Sequence, residues 1–195
     1  AAPRRPRNLP VPATALVGRE RDVSAVKAAL QRADLRLLTL VGPGGVGKTR
    51  LALQVARELC EHFADGVFLV DLASIGEYAL VIPTIMKTLG LAEAGDQAAR
   101  ERLDAYLATK QILLLLDNFE QVLAAAPSVA ALLAAAPQLK LLVTSRAVLQ
   151  IGGEHEYPVP PLSHAEGAHA AAVTLFVQRA QAVKQEGRTL VAGIG

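Results

Sequence analysis

Residues 37–50 read LLTLVGPGGVGKTR, and no other stretch narrows so sharply what this chain can fold into. An apolar run, Leu37-Leu38-Thr39-Leu40-Val41, stops abruptly at Gly42-Pro43-Gly44-Gly45-Val46-Gly47-Lys48-Thr49, and a helical pattern follows. This is the G-x-x-x-x-G-K-[ST] phosphate loop in its required setting of strand, glycine loop and helix. Gly42, Gly44, Gly45 and Gly47 free the backbone from the limits a Cβ imposes and let it approach phosphate closely. The loop's N–H groups can then form an anion nest, backed by the positive end of the helix that begins near Lys48. Lys48 is placed to reach the β- and γ-phosphates, and the Thr49 hydroxyl to hold Mg²⁺. A glycine-rich turn without a ligand is the alternative, and the flanking strand and helix speak against it. The loop implies a nucleoside phosphate.

A length of 195 residues suits one α/β domain with a sizeable core. The chain is 52% hydrophobic but only 4% aromatic, which favours helices on an aliphatic sheet and opposes stacking platforms for single-stranded nucleic acid. A net charge of +2 is too small to mark a nucleic-acid binder. Cys60 stands alone, so no intramolecular disulfide forms and a reducing compartment fits. No apolar run reaches membrane-spanning length, and the first residues lack the apolar core of a signal peptide. The expectation is a soluble, cytoplasmic protein.

Residues 1–12 mix four prolines with three arginines, a composition that predicts an extended linker. A helix is expected over 21–32, with Val23, Val26, Ala29 and Leu30 on one face. The helix after the loop is expected to run to about Phe63. The unbroken apolar run 67–71 predicts a strand covered on both faces. A helix over 78–89 must place Pro83 in its first turn or kink there, with Gly90 ending it. Further helices are expected over 97–107 and, in two pieces divided at Pro127, over 122–136. Strands are expected at 112–116, 141–143 and 155–159. Ser163 and Glu166 have the spacing of a capping box for a last helix to about Val183. Alternating strands and helices predict an α/β fold with a parallel sheet.

Chemistry concentrates at the ends of the apolar runs. Asp117 closes Ile112-Leu113-Leu114-Leu115-Leu116, where a carboxylate can hold the hydration shell of Mg²⁺. Glu120 or Asn118 could orient an attacking water, and Glu120 could equally cap a helix. Arg146 follows Thr144-Ser145 at the tip of another buried run, on the edge where α/β proteins bind ligands, and could reach a γ-phosphate. His62, His155, His164 and His169 show no metal-ligand spacing.

Together these residues resemble the STAND class of P-loop ATPases, and more narrowly the NB-ARC or AP-ATPase domain of large bacterial transcriptional regulators. Leu16-Val17-Gly18-Arg19-Glu20 is similar to the hhGRE box, residues 41–50 to Walker A, LLLLDNFEQV at 113–122 to Walker B, and LVTSR at 142–146 to sensor 1. The resemblance covers residues 8–183. It implies a three-layer α/β/α P-loop NTPase with a mainly parallel sheet of about five strands, the sensor strand lying between the Walker strands. It further implies that ATP or ADP with Mg²⁺ is held by Val17 and Arg19 toward the base. Gly42, Gly44, Gly45, Val46, Gly47, Lys48, Thr49 and Arg50 would hold the phosphates, with Thr49 and Asp117 at the metal. Lys48, Asp117, Glu120 and Arg146 become the catalytic group, with Arg146 facing the γ-phosphate. Members of this class are slow ATPases that switch between a closed ADP state and an ATP state able to self-assemble.

The family's helical lid with its Gly-x-Pro motif is not found in these residues, nor are its winged helix, sensor repeats or output domain. The expected organisation is a linker at 1–12, a nucleotide-binding domain at 13–184 and an atypical tail at 185–195, cut from a larger regulator. The missing lid and sensor domains are then its partners, with no membrane and no direct nucleic-acid contact. A free-standing P-loop ATPase or small-molecule kinase is the alternative, but no acceptor-binding segment is found. The guanine-reading Asn-Lys-x-Asp motif of GTPases is absent, since Phe119 follows Asn118.

Overall fold

The computed structural model describes residues 7–161 apart from residue 13 and residues 92–95. The expected helix after Ser163, the 185–195 tail and the first six residues lie outside the described residues. In chain order the elements are α1 (Glu20–Gln31), β1 (Leu37–Val41), α2 (Lys48–Glu58), β2 (Gly66–Asp71), α3 (Val81–Thr88), α4 (Asp96–Leu107), β3 (Ile112–Asp117), α5 (Ala126–Ala135), β4 (Lys140–Ser145) and β5 (Glu154–Pro158). The strands form one parallel sheet in the order β2-β3-β4-β1-β5. β4 therefore lies between β1 and β3, as the resemblance implies, and the two strands that carry the glycine loop and Asp117 do not touch.

Every strand side chain must go to one face or the other, and the apolar runs serve both. Leu113 and Leu115 of β3 join Val26 and Leu30 of α1 and Leu51 and Val55 of α2 in one buried cluster. Ile112, Leu114 and Leu116 turn to the opposite cluster with Val81 and Ile85 of α3, Leu103 of α4 and Val129 and Leu132 of α5. That division produces three layers, and it explains the absence of polar alternation along β3. All six residues of β3 are buried.

Several boundaries shift for local reasons. The helix after the loop stops at Glu58, and Cys60–His62 forms a single tighter turn before Phe63 enters the core. Pro83 is the third residue of α3, preceded by a 3₁₀ turn at Tyr78–Leu80, where a missing N–H costs nothing. Pro127 sits in the first turn of α5. Gly90 closes the α3 end with φ of 73°, a left-handed conformation that favours glycine.

The proline-rich lead makes specific contacts. Asn8 donates from Nδ2 to the Leu69 carbonyl at 2.8 Å and accepts from the Leu69 N–H at 2.7 Å, so its amide occupies the outer edge of β2. Arg57 donates to the Pro10 carbonyl, and Arg50 to both oxygens of Thr14 and to the Ala15 carbonyl. Among the described residues no helix is long and apolar enough to cross a membrane.

Phe119, fully buried just beyond β3, anchors the turn that carries Glu120. Phe119→Ala is expected to remove about 3–5 kcal/mol of stability, read as a lower midpoint in urea unfolding.

Candidate functional site

The loop between β1 and α2 is shaped by glycine at two kinds of position. Gly45 and Gly47 have φ of 80° and 94°, and open space surrounds both, so conformation alone demands glycine there. Gly42 is different: a Cβ there would lie 2.6 Å from the Val159 carbonyl oxygen. Val159 leaves β5 beside the loop, its N–H bonded to the Val41 carbonyl at 2.7 Å. Gly47 is also the residue that opens α2, and among the described residues no side chain caps that helix. A helix start without a side-chain cap is one where backbone N–H groups can meet an anion.

Lys48 folds back over the loop, donating to the carbonyls of Gly42 at 2.7 Å and Pro43 at 2.9 Å, and is only 8% exposed. The next residue turns the other way. The Thr49 hydroxyl donates to Oδ1 of Asp117 at 2.8 Å, linking α2 to the end of β3. The same Oδ1 accepts the Thr144 hydroxyl of β4 at 2.5 Å, while the Thr144 oxygen accepts the Asn118 N–H at 3.0 Å. Asn118 adopts φ of 61° and brings its Nδ2 to 3.3 Å from Asp117 Oδ2.

Asp117 is 5% exposed, and burial pushes its pKa up. The two hydroxyl bonds act against that rise, and the carboxylates of Asp71 and Glu120 add to it. Asp71 ends β2 in direct register with Asp117. Asp117 and Thr49 offer a carboxylate and a hydroxyl, oxygen ligands of the kind Mg²⁺ takes alongside water and phosphate, and among the described residues no three acidic, histidine or cysteine side chains form a metal site by themselves.

Arg146, beyond β4, reaches across the loop. Its Nε lies 3.2 Å from Oε1 of Glu120, and its Nη2 would be 3.3 Å from a Cβ placed on Gly44. The Arg146 side chain is 64% exposed and that of Glu120 only 14%. Glu120 Oε2 is buried, with no hydrogen-bond partner among the described residues. Lys48, Thr49, Asp117, Glu120 and Arg146 are therefore brought together around the glycine loop.

The other expected binding residues are placed differently. Arg50 faces away, toward Thr14 and Ala15. Val17 is half-buried. Arg19 is 5% exposed; it donates to Asp22 Oδ2 at 2.9 Å, the Val46 carbonyl at 3.0 Å and the Pro160 carbonyl at 2.5 Å. Asp22 also accepts the Tyr157 hydroxyl at 2.7 Å. Thr144, Asp71, Asp22 and Tyr157 were not picked out by sequence reasoning. A signal existed for Thr144 alone: it lies two residues before Arg146, hence on the same side of an extended segment.

The NB-ARC domain model matches residues 19–160. An uncharacterised protein of Mycobacterium tuberculosis (strain ATCC 25618 / H37Rv) is 35% identical over 174 residues, covering 89% of this chain and 43% of its own. A protein of the same strain named as a putative HTH-type transcriptional regulator is 40% identical over 153 residues, 78% of this chain and 17% of the relative. The regulatory protein AfsR of Streptomyces griseus is 30% identical, covering 98% of this chain and 20% of its own. The chain thus spans less than half the length of each of these relatives. Among solved structures, Cdc6p from Pyrobaculum aerophilum superposes with a TM-score of 0.62 at 15% identity, over 90% of this chain and 52% of that one, a likeness of fold.

An ionised carboxylate buried at Asp117 opposes folding, because its pKa is raised: its proton is held more tightly in the folded chain, and stability falls as pH rises through the folded value. Asp117→Asn keeps an acceptor for Thr49 and Thr144 without the charge. The variant is expected to melt higher than the parent at pH 7 in the absence of nucleotide, by roughly 2–4 °C, as about 1 kcal/mol does in a domain of this size. Differential scanning calorimetry checks it.

Proposed function

Because the chain belongs to the NB-ARC domain family, we propose that it is the ATP- and ADP-binding core of a signalling switch, the part of a larger bacterial transcriptional regulator that reads nucleotide state. The observation that carries this reading is the meeting of the glycine loop with Asp117, through the Thr49 hydroxyl 2.8 Å from the carboxylate. Residues 13–184 form the nucleotide-binding domain in this reading, with the lid, sensor and output segments of the regulator as its partners. Cytoplasmic action and nucleotide-dependent self-assembly belong to the same proposal.

Gly42, Gly44, Gly45, Val46 and Gly47 wrap the phosphates, with Val17 toward the base, Arg19 on the Val46 carbonyl and Arg50 bracing α2. Lys48 exchanges the Gly42 and Pro43 carbonyls for phosphate oxygens, a gain because charge-assisted bonds to anions are the stronger kind. Thr49 and Asp117 would hold Mg²⁺, which would supply positive charge against the phosphate oxygens and against the buried Asp117 carboxylate.

Glu120 and Arg146 divide the remaining work. The buried Oε2 of Glu120 accepts a hydrogen bond from water and aims it at the γ-phosphate. Arg146 trades its Glu120 contact for the γ-phosphate, so the nucleoside triphosphate separates a pair that the diphosphate leaves joined. Hydrolysis is slow in this reading, since an exposed arginine and an open loop exclude bulk water poorly.

Lys48→Ala is expected to weaken ADP binding at least tenfold in isothermal calorimetry while the circular dichroism spectrum is kept. Parent-like ADP affinity in that variant would move the site elsewhere. Arg146→Ala separates the nucleotides: ATP affinity is expected to fall about tenfold and ADP affinity to change less than about twofold. Equal losses for both would make Arg146 a structural residue.

A further inference from the structure

The glycine loop has a second support, on the side away from Asp117, that none of the assigned roles accounts for. Tyr157 of β5, Asp22 of α1 and Arg19 form an unbroken polar chain that ends on a loop carbonyl. The Tyr157 hydroxyl donates to Asp22 Oδ1 at 2.7 Å, Arg19 Nη1 donates to Asp22 Oδ2 at 2.9 Å, and Arg19 Nη2 donates to the Val46 oxygen at 3.0 Å. We propose that Tyr157 and Asp22 are positioning residues for the phosphate loop, acting through Arg19 on the Val46 peptide.

The geometry of the peptide unit makes this more than a brace. The Val46 carbonyl and the Gly47 N–H belong to one planar trans unit and point in opposite directions. Holding the oxygen from outside the loop therefore turns the Gly47 N–H inward, toward the phosphate cradle. Gly47 carries the most positive φ of the loop glycines, 94°, so this is the unit whose orientation most needs an external restraint. Arg19 also grips the Pro160 carbonyl at 2.5 Å, which fixes the guanidinium from the β5 side.

Each link depends on the one before it. The Asp22 carboxylate receives both the phenol and the guanidinium, so its two oxygens are committed and its position is set from β5. Tyr157 is a half-buried ring packed on the α1–α2 core. Its phenol is pushed up to about 12, by burial first and by Asp22 second, so it remains a donor at any ordinary pH. Arg19 is 95% shielded, and both its terminal nitrogens face protein acceptors. Its influence on bound nucleotide thus passes through the loop backbone, and base identity is left to other groups.

This inference rests on the nucleotide reading, and the test separates the two. Tyr157→Phe removes one oxygen and keeps the ring in place; Asp22→Asn removes the charge. Both singles, the double variant, Lys48→Ala and the parent are compared by calorimetry with ADP and with inosine diphosphate. Amide exchange of the segment 42–49 is followed in the same proteins without nucleotide. Each single is expected to weaken ADP and inosine diphosphate by the same factor, about threefold to tenfold. The double variant is expected to lose no more than the larger single, as members of one chain do. Loop exchange is expected to rise severalfold in Tyr157→Phe. Unchanged loop exchange in Tyr157→Phe overturns the relay even if the melting temperature drops, which is all that a merely structural bond would give. A changed ratio of ADP to inosine diphosphate affinity also overturns it, by placing Arg19 on the base. Failure of the parent to bind either nucleotide is a separate result that removes the nucleotide reading.

Discussion

One oxygen atom, Oδ1 of Asp117, joins three segments beside the glycine loop. It accepts hydroxyls from Thr49 at the start of α2 and from Thr144 near the end of β4, while its own residue ends β3. Because β4 separates β1 from β3 in the sheet, the glycine loop and Asp117 have no ladder bond between them. The Thr49–Asp117 contact spans that gap. Its strength comes from the poor solvation of the carboxylate, which makes each donated hydrogen bond count for more than it would in water. The same burial makes an ionised Asp117 costly to the fold, a cost that the proposed cation would offset.

The opposite flank of the loop is held in another way. Val159 closes on Gly42 so tightly that only glycine fits, and Arg19 takes the Val46 carbonyl. Both restraints come from the end of β5 or depend on it, since Arg19 is bound to Pro160 and steered by Tyr157 through Asp22. The loop is therefore clasped between a charged pin at Asp117 and a backbone clamp at the β5 exit. A shift in the chain where it leaves β5 reaches the glycine loop through two contacts, with no need for the sheet to move. The lead on the far side of α2, held by Asn8, Arg50 and Arg57, adds a third tether to the helix that begins with Lys48.

Much of this was legible in the sequence, for definable reasons. The glycine loop declares itself because its spacing has few other uses, and β3 does so because five consecutive aliphatics before an aspartate leave little choice but a buried strand. The parallel α/β sheet followed from the alternation of such runs with amphipathic helices, and the resemblance implied its three layers. Strand order did not follow from local pattern, since any of the apolar runs could neighbour β1; the resemblance supplied only the place of β4 between β1 and β3. Least visible were pairings between distant polar residues. Nothing in the local sequence of Tyr157 points to Asp22, 135 positions away, and a tyrosine before a proline in a short edge strand reads as ordinary. The docking of Asn8 on β2 was hidden for a similar reason: proline content describes backbone stiffness and says nothing of which side chain bonds Leu69.

In the proposed function the loop and the Asp117 pin together make a binding site for adenine nucleotide with Mg²⁺. A thermal-shift panel of ATP, ADP, GTP and GDP, each with and without Mg²⁺, tests it most directly, since any ligand bound by the folded state alone raises the melting temperature. The account predicts clear stabilisation by ATP and ADP, enhanced by Mg²⁺, and little from the guanine nucleotides. Melting that no nucleotide changes, or that GTP and GDP raise as much as ATP and ADP do, would contradict it.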